Sequence, residues 1–237
     1  MHSNLKIADE GTSEKATSAT LVYRKLRRDI LTGELKPGQK LQVEQISAKY
    51  GAGVNPVREA LNRLSAERHV DLRDLRGFFV TPVSMDRLRE LVKTRCWLEG
   101  TALEESIANR TQEWEDNLIL TYYRLARAPI HLSQDLGDNI EWERKHRAFH
   151  NALISACGSS WLIDFCNDMM DHAERYRFIS MSATYPRRDS NEEHRLIMEA
   201  ALDGDAALAK ERLVRQYQLT LTLLERNVAE DGRIDPS

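Results

Sequence analysis

The side chains with the clearest chemical potential are two histidines one helical turn apart, His146 and His150. At positions i and i+4 of a predicted helix, both imidazoles project from one face, beside the inward-facing Phe149 and Leu153 and one turn after Glu143. Neutral imidazole is a good ligand for Zn²⁺ and similar ions. The same pair also suits an ion-free polar pocket that holds a small molecule by hydrogen bonds. The spacing therefore predicts a ligand pocket in a helical domain and leaves open whether it holds a metal.

A charged position interrupts the apolar face of an earlier predicted helix. Arg95 stands in the inward stripe of residues 88–102, where an aliphatic side chain is expected, and Glu99 follows one turn later. A charge that faces a helical core is costly unless it is paired or bound to a ligand. Either Arg95 forms a buried pair with Glu99 or a dimer contact, or its planar guanidinium binds the carboxylate of an effector.

Three predicted helices precede this region, and two of them have the spacing of a helix-turn-helix. The first covers residues 19–31, and the pair covers residues 43–50 and a stretch within residues 51–64. Gly51 lies where the first helix of the pair must end in a left-handed conformation, which glycine adopts without steric cost. An ordinary helical hairpin is the alternative, because this geometry is also a common packing motif.

The second helix of the pair has the features of a recognition helix. Asn55 is a good N-cap, and Pro56 suits the first helical position, where its missing N–H costs nothing. The outward face carries Arg58 in the first turn, the part of a recognition helix that meets base edges in the major groove. Asn62 follows on the same face. We therefore predict that Asn55, Arg58 and Asn62 contact DNA.

A basic hairpin follows the helix pair. Residues 70–73 and 78–81 predict two short strands joined by a bend that ends at Gly77. Arg73 and Arg76 make this hairpin positive, as a DNA-binding wing requires, because phosphate contacts dominate affinity. Together with the three helices, the hairpin predicts a winged helix-turn-helix in which Arg73, Arg76 and Gly77 lie at the DNA.

The charge distribution supports the same interpretation. The chain has a formal net charge of −3, but residues 19–82 hold 12 basic against 7 acidic side chains, whereas residues 83–237 hold 20 against 27. A basic amino-terminal module on an acidic body is typical of a protein that contacts nucleic acid at one end.

Three sequence blocks in this region resemble the GntR family of bacterial transcription regulators. They are Leu35-Lys36-Pro37-Gly38-Gln39-Lys40-Leu41, Pro56-Val57-Arg58-Glu59-Ala60-Leu61 and Arg76-Gly77-Phe78-Phe79-Val80. The remainder is similar to the helical effector domain of the fatty-acid-regulator-like (FCD) branch. Its marks are Arg95-x-x-x-Glu99, Phe149-His150-x-x-Leu153 and the block from Glu193-His194 to Asp205. The resemblance covers residues 19–228.

The resemblance implies a specific ligand set in the bundle. In many members of the family, four positions read Asp, His, His, His and hold a divalent metal. This chain keeps His150 and His194, and has His146 for the Asp and Gln216 for the last His. Three imidazoles can still hold Zn²⁺ or a similar ion, completed by water or an effector carboxylate, although loss of the carboxylate ligand lowers the expected affinity. His172, on the next helix, can join either arrangement. The predicted effector-binding residues are Arg95, His146, His150, His194 and Gln216.

Three departures from the family pattern bear on DNA recognition. Residues 53–55 read Gly-Val-Asn where relatives usually read Ser/Thr-Arg-Thr, so one base-reading arginine is absent. Glu44 occupies a frequent contact position, where it would repel phosphate. Arg68 replaces a usual glycine, and in a left-handed conformation it would cost about 1 kcal/mol. We therefore expect an operator sequence that differs from those of relatives.

Composition is ordinary for a two-domain cytoplasmic protein, at 41% apolar and 30% charged residues. No apolar run is long enough to span a membrane, and the three scattered cysteines fit buried, reduced thiols. Residues 1–18 read as a disordered tail and residues 231–237 as a second tail, around domains at 19–82 and 83–230. Breakers in the second domain predict helices at 86–109, 112–128, 134–157, 159–182, 189–203 and 205–228.

The sequence thus predicts a mainly α protein, with an N-terminal winged helix-turn-helix followed by an all-α antiparallel helical bundle that binds effector. Its predicted function is a homodimeric, ligand-responsive regulator, a repressor in the manner of its relatives, that binds a palindromic double-stranded operator and a small organic acid. Two alternatives stay open: a metal-dependent enzyme with a three-His site that activates water, and a constitutive DNA-binding protein with an empty pocket.

Overall fold

The computed structural model describes residues 17–128, 136–184 and 188–231, with side chains described except at 136–140, 178–184 and 227–231. The amino-terminal elements are α1 (Ser18–Leu31), β1 (Lys40–Leu41), α2 (Val43–Tyr50), α3 (Val54–Ala66), β2 (Val70–Arg73) and β3 (Gly77–Val80). They are followed by α4 (Met85–Ala108), α5 (Gln112–Ala126), α6 (Leu136–Ile154), α7 (Ser160–Thr184), α8 (Ser190–Leu202) and α9 (Ala206–Asp231). The predicted fold class, a winged helix-turn-helix followed by a helical bundle, is confirmed.

The amino-terminal domain packs α1 and α3 together over a small antiparallel sheet of order β1-β3-β2. Its core is made by apolar side chains that recur at helical spacing and that alternate in β3. The innermost are Val22, Leu26, Ile30, Val57, Leu61, Leu64 and Val80. The sequence predicted the hairpin β2–β3 but not the two-residue β1, which pairs Lys40 with Phe79 and Leu41 with Phe78 and holds the start of the helix pair against the wing.

Two local features of this domain follow from backbone conformation. Gly51 ends α2 with φ 64°, the left-handed conformation that the sequence predicted. Arg68 has φ 60°, so the left-handed position after α3 carries a side chain instead of glycine. The N-cap prediction was wrong: α3 begins at Val54 after Gly53, and Asn55 and Pro56 lie inside its first turn. Pro56 is tolerated there because the first-turn N–H groups have no intrahelical acceptor.

The carboxy-terminal domain packs α4, α7 and α8 around the long helix α9, with α5 and α6 completing the bundle. Side-chain caps fix where helices begin: the hydroxyls of Ser84 and Thr111 and the carboxylate of Asp189 each accept a backbone N–H three residues later. The buried core includes Leu103, Leu118, Phe149, Leu153, Ile197 and Leu224.

The predicted helix boundaries in this domain agree with the structure to within three residues where they can be compared. The predicted break between the helices at 112–128 and 134–157 and most of the two predicted tails lie outside the described residues. Of the tails, only Thr17, Ser18 and Asp231 are described. Among the described helices, none is both long and apolar enough to cross a lipid bilayer.

Candidate functional site

The residues predicted to contact DNA lie on the open side of the amino-terminal domain. Arg58, Asn62, Arg73 and Gly77 line one groove of about 700 Å³ between the recognition helix α3 and the wing. Asn55 and Arg76 are exposed but are not part of its lining. Because α3 begins at Val54, Arg58 is its fifth residue and starts the second turn, not the first.

Arg58 and Arg73 differ in the partners of their guanidinium groups. Arg58 is exposed, and no ion pair involves it among the side chains that the structure describes. The guanidinium carbon of Arg73 lies 4.4 Å from the centre of the Phe79 ring, and its Nη2 lies 3.8 Å from the Asp71 carboxylate. The Phe79 ring therefore orients Arg73 along the wing.

Two further residues at this face affect how it can bind DNA. Glu44 lines the same groove, so the predicted repulsion of phosphate acts directly beside Arg58. Leu75, at the tip of the wing, has a fully exposed side chain and φ 58°. Leu75 was not predicted as a site residue, because only its position at the tip of a bend distinguishes it from other leucines.

The three predicted histidines come together inside the bundle. Ring centroids are 4.4 Å apart for His146 and His150, 5.2 Å for His146 and His194, and 5.4 Å for His150 and His194. One ring nitrogen from each lies within 4.8 Å of the other two, and all three side chains are buried. The i,i+4 pair on α6 thus meets the single histidine on α8.

The surroundings of this cluster disfavour the charged form of its three imidazoles. Burial, and then the positive charges of neighbours, hold the pKa of His146 and His150 well below the usual value. Burial lowers the pKa of His194 to about 3; the Ser190 carbonyl opposes this shift, but it is not in hydrogen-bond geometry with the ring. All three imidazoles are therefore neutral near pH 7.

Several atoms of the cluster lack the hydrogen bonds that buried polar groups normally make. Among the described residues, His146 Nδ1, His150 Nε2 and both ring nitrogens of His194 have no partner, nor has the amide oxygen of Gln216. Gln216 is buried on α9, one residue before Tyr217. These unpaired atoms fit a site that a divalent ion completes, because a metal would use the nitrogen lone pairs that nothing else uses.

Tyr217 fixes the tautomer of His150. Its hydroxyl lies 3.2 Å from His150 Nδ1 and donates a hydrogen bond to the Glu99 carboxylate. The hydroxyl therefore accepts from Nδ1–H, which leaves Nε2 with its lone pair. A carboxylate, a tyrosine and a histidine in series are the kind of outer contact that orients a metal ligand. Tyr217 was not predicted as a site residue, because it carries no spacing signal relative to His150.

Arg95 takes the first of its two predicted roles in this structure. Its Nε donates to Glu99 Oε1 at 2.6 Å and its Nη2 to Oε2 at 3.2 Å, with both side chains buried, and its guanidinium carbon lies 4.0 Å from the Tyr217 ring centre. The carboxylate of Glu99 thus compensates the charge of Arg95. The pair with Glu99 by itself explains the burial of the Arg95 charge, without a bound effector.

A second arginine carries an unused donor. Arg177, on α7, forms a bidentate pair with Glu143 on α6, but its buried Nη1 has no partner among the described residues. Its positive charge lowers the pKa values of His146, His150 and His194, so it lies close to the cluster. His172 does not join the cluster: it lines a separate cleft beside the amino-terminal domain.

Comparison with known proteins agrees with both halves of the structure. The family model described as bacterial regulatory proteins, gntR family, matches residues 19–80, and the FCD domain model matches residues 90–218. The HTH-type transcriptional regulator BphR of Paraburkholderia xenovorans is 36% identical over 211 residues, covering 86% of this chain and 84% of that protein. The HTH-type transcriptional repressor GlaR of Escherichia coli is 34% identical over 203 residues, covering 84% and 91%.

Solved structures share the fold at lower identity. McbR/YncC from E. coli superposes with a TM-score of 0.64 at 20% identity, covering 90% of this chain and 99% of that one. A GntR regulator from Rhodococcus sp. RHA1 superposes with a TM-score of 0.65 at 20% identity, covering 89% and 99%.

These relatives are transcription regulators, and the enzyme alternative therefore falls away. The protein is a DNA-binding transcription regulator: the chain belongs to the GntR family and carries an FCD domain behind its winged helix-turn-helix.

Proposed function

We propose that this protein is a cytoplasmic repressor whose bundle binds a small organic acid with the help of a divalent metal ion. The observation that carries the proposal is the cluster of three buried, neutral imidazoles with unpaired lone pairs in a protein that also has a DNA-reading domain. The repressor assignment is supported by the name of GlaR, at 34% identity.

His146, His150 and His194 would hold the ion. Each contributes one nitrogen to a set within 4.8 Å, and Tyr217 keeps His150 in the tautomer that can bind. A bound ion would supply a positive charge and an open position that an effector carboxylate can occupy. Gln216 is a weak ligand, so its buried amide oxygen is better suited to a hydrogen bond with the effector.

Arg177 is the side chain best suited to bind the effector carboxylate directly. Its pairing with Glu143 leaves Nη1 as a buried donor beside the cluster, and a carboxylate would satisfy that donor. Arg95, by contrast, already has a bidentate carboxylate partner in Glu99. Effector bound at Arg177 would change the charge balance of α7, the helix that contacts the amino-terminal domain.

We infer further that the regulator acts as a homodimer on a palindromic operator. The packed helices α4 and α7 both carry exposed aromatic side chains: Trp97 on α4 is 62% exposed, and Trp161 and Phe165 on α7 are 75% and 52% exposed. Large exposed aromatics on a helical surface are typical of an interface. A two-fold dimer would present two recognition helices to two half-sites.

The decisive experiment combines metal analysis with operator binding. Protein purified without a nickel column should contain close to one divalent ion per chain, and a His194→Ala variant should contain none. His172→Ala, outside the cluster, is the matched control and should keep the ion. Absence of a stoichiometric ion in the parent protein would overturn the metal proposal.

A second measurement tests the effector. Operator fragments selected from the host genome would be titrated with protein in the presence of a panel of small organic acids. At least one acid should weaken DNA binding in the parent protein and fail to do so in Arg177→Gln. If no acid changes DNA binding, the protein is a constitutive DNA-binding regulator instead.

A further inference from the structure

A second cavity lies between the DNA-binding domain and the bundle. It has a volume of about 550 Å³, and its lining comes from both sides: Arg68 and His69 after α3, the connecting residues 81–83, and side chains of α4 and α7. It is separate from the three-histidine cluster, none of whose members lines it. Its walls carry three arginines, Arg68, Arg87 and Arg175, and two histidines, His69 and His172.

Arg175 is the most unusual of these side chains. It is only 6% exposed, and its Nη1 donates to the backbone carbonyl of Thr81, yet no carboxylate pairs with it in the part of the chain that the structure describes. Burial lowers its pKa to about 10. The other buried arginine, Arg95, has a bidentate carboxylate partner. A buried cation without a counter-charge is costly, so the cavity favours an anion.

Arg68 and Arg87 add two more positive charges that no described carboxylate neutralises. Both lie close to His172: burial and then the charge of Arg68 lower its pKa, the charges of Asp171 and Asp168 oppose this shift, and Arg87 lowers it to a smaller extent. The lining holds two acidic residues against its three arginines: Asp171, which is paired with Arg147, and Glu90, which is exposed as Arg87 is. The lining therefore has an excess of positive charge.

We propose that this cavity binds a small anion with two negative charges, of the phosphate-ester or dicarboxylate class. Arginine suits both groups, because its planar guanidinium makes paired hydrogen bonds to carboxylate and to phosphate oxygens. Arg68 belongs to the DNA-binding domain, whereas Arg87 and Arg175 belong to the bundle. An anion held by all three connects the two domains, so its binding is linked to any change in their arrangement and hence to DNA binding. The cavity is a second input to the regulator, at a site separate from the bundle pocket.

The test is calorimetric titration of the full-length protein with inorganic phosphate and, separately, with succinate, at ionic strength held constant with sodium chloride. At least one of the two anions should bind, and the anion that binds more tightly identifies the class. Arg175→Gln should weaken that binding about tenfold or more, the effect of removing a charged hydrogen-bond donor. Arg144→Gln, an exposed arginine of α6 paired with Glu141, is the matched control and should bind as the parent does.

A second variant keeps the test valid if Arg175→Gln fails to fold. Arg87 is exposed, so Arg87→Gln should fold normally and still weaken binding several-fold. The proposal is overturned if neither anion binds, if both arginine variants bind like the parent, or if binding is lost in His194→Ala and retained in Arg175→Gln. The last result would assign the anion to the bundle pocket.

Discussion

Arg27, in the first helix of the DNA-binding domain, donates a hydrogen bond to the carboxylate of Glu174 in the bundle helix α7. Glu174 is almost fully buried, and Nε2 of His69, also from the DNA-binding domain, lies 3.8 Å from the same carboxylate. A buried carboxylate of one domain therefore pairs with Arg27 and lies next to His69 of the other. This contact fixes how the DNA-binding domain sits on the bundle.

One turn of α7 connects this contact to the bundle pocket. Glu174 contacts Arg27, the next two residues donate hydrogen bonds to the backbone carbonyls of Thr81 and Ser84, and Arg177 pairs with Glu143 beside the histidine cluster. A ligand that moves Arg177 can thus act on the contact between the domains, because Glu174 and Arg177 lie on the same turn of α7. This is a physical route by which effector and operator binding are linked.

The first prediction concerns the pair of Arg27 and Glu174. Glu174→Gln removes a buried charge and leaves Arg27 without its counter-charge, so we expect a loss of about 1–3 kcal/mol in the free energy of unfolding, below the full cost of a completely buried pair because Arg27 is partly exposed. Chemical denaturation measures this loss, and a double-mutant cycle with Arg27→Gln isolates the interaction between the two side chains.

Its matched control is Glu225→Gln, which removes the partner of Arg89 in an exposed pair. That change should cost no more than about 1 kcal/mol, because solvent screens exposed ion pairs. If the two glutamine variants are equally stable, Glu174 does not hold the domains together.

The second prediction concerns the DNA-binding groove. Arg58→Ala should weaken operator binding by about 1–3 kcal/mol, because Arg58 is exposed on the predicted recognition helix without an internal partner. Glu44→Gln should act in the opposite direction and strengthen binding by up to about 1 kcal/mol, since it removes a negative charge from a groove that must accept phosphate. Fluorescence anisotropy with a labelled operator measures both changes.

Arg144→Ala serves as the control for this groove, since it removes an exposed positive charge of α6 outside the groove lining. Binding that is unaffected by Arg58→Ala would show that α3 is not the recognition helix. Weaker binding in Glu44→Gln would mean that the carboxylate makes a favourable contact, such as a hydrogen bond to a cytosine amino group.

The third prediction concerns the hydroxyl of Tyr217, and this prediction rests on the proposed metal site. Tyr217→Phe leaves the three imidazoles in place but removes the acceptor that fixes the His150 tautomer, so metal affinity should fall about 10- to 100-fold. Competition with a chelating dye measures the affinity. Tyr176→Phe, which removes another buried hydroxyl at the domain contact, should leave metal affinity unchanged. Equal affinities in Tyr217→Phe and the parent would exclude this orienting role.

The fourth prediction is a pH dependence due to His69. Burial, and then the charge of Arg27, lower the pKa of His69 to about 3. The unfolded chain takes up a proton near pH 6.5 while the folded chain does not, so stability is unaffected above that pH and decreases as the pH falls from 6.5 toward 3. The slope is about 1.4 kcal/mol per pH unit for this one group. The groups that face His69 are Glu174 at 3.8 Å, the arginines Arg27, Arg175 and Arg147, and the imidazole of His172.

Unfolding free energies of the parent and His69→Gln at pH 7 and pH 5 check this sign. The parent should lose more stability than the variant between the two values, because the variant lacks the group that takes up the proton. A larger loss in the variant would mean that His69 is charged in the folded protein and paired with Glu174.

Local patterns predicted most of the secondary structure and part of the site. The i,i+4 spacing of His146 and His150 and the left-handed end at Gly51 are properties of one helix or one turn, so neighbouring residues determine them. The N-cap prediction for Asn55 failed because the start of α3 depends on how β1 and the turn position the chain, and β1 itself is too short to give a pattern.

Contacts between residues that are far apart in the sequence could not be predicted from such patterns. Tyr217 and His150 are 67 positions apart, and Arg27 and Glu174 are 147 apart. Their pairing depends on the packing angles and on the register of helices, which no local spacing encodes. The pairing of Arg95 with Glu99 could be predicted as one of two alternatives, because both residues lie on one helix. The contact of Glu99 with Tyr217, and through Tyr217 with His150, depends on tertiary packing and could not be predicted.

The last prediction concerns Arg68, whose φ of 60° is unfavourable for any residue with a Cβ. Such a conformation costs about 1–2 kcal/mol, and the greater freedom of glycine in the unfolded chain offsets part of the gain from replacing it. Arg68→Gly should therefore stabilise the protein by up to about 1 kcal/mol. Arg68→Ala removes the same charge but keeps the strained backbone, so its stability should not rise. Thermal and chemical denaturation compare the two; equal gains would mean that the benefit comes from relieving charge repulsion near Arg87 and Arg175 and not from the backbone.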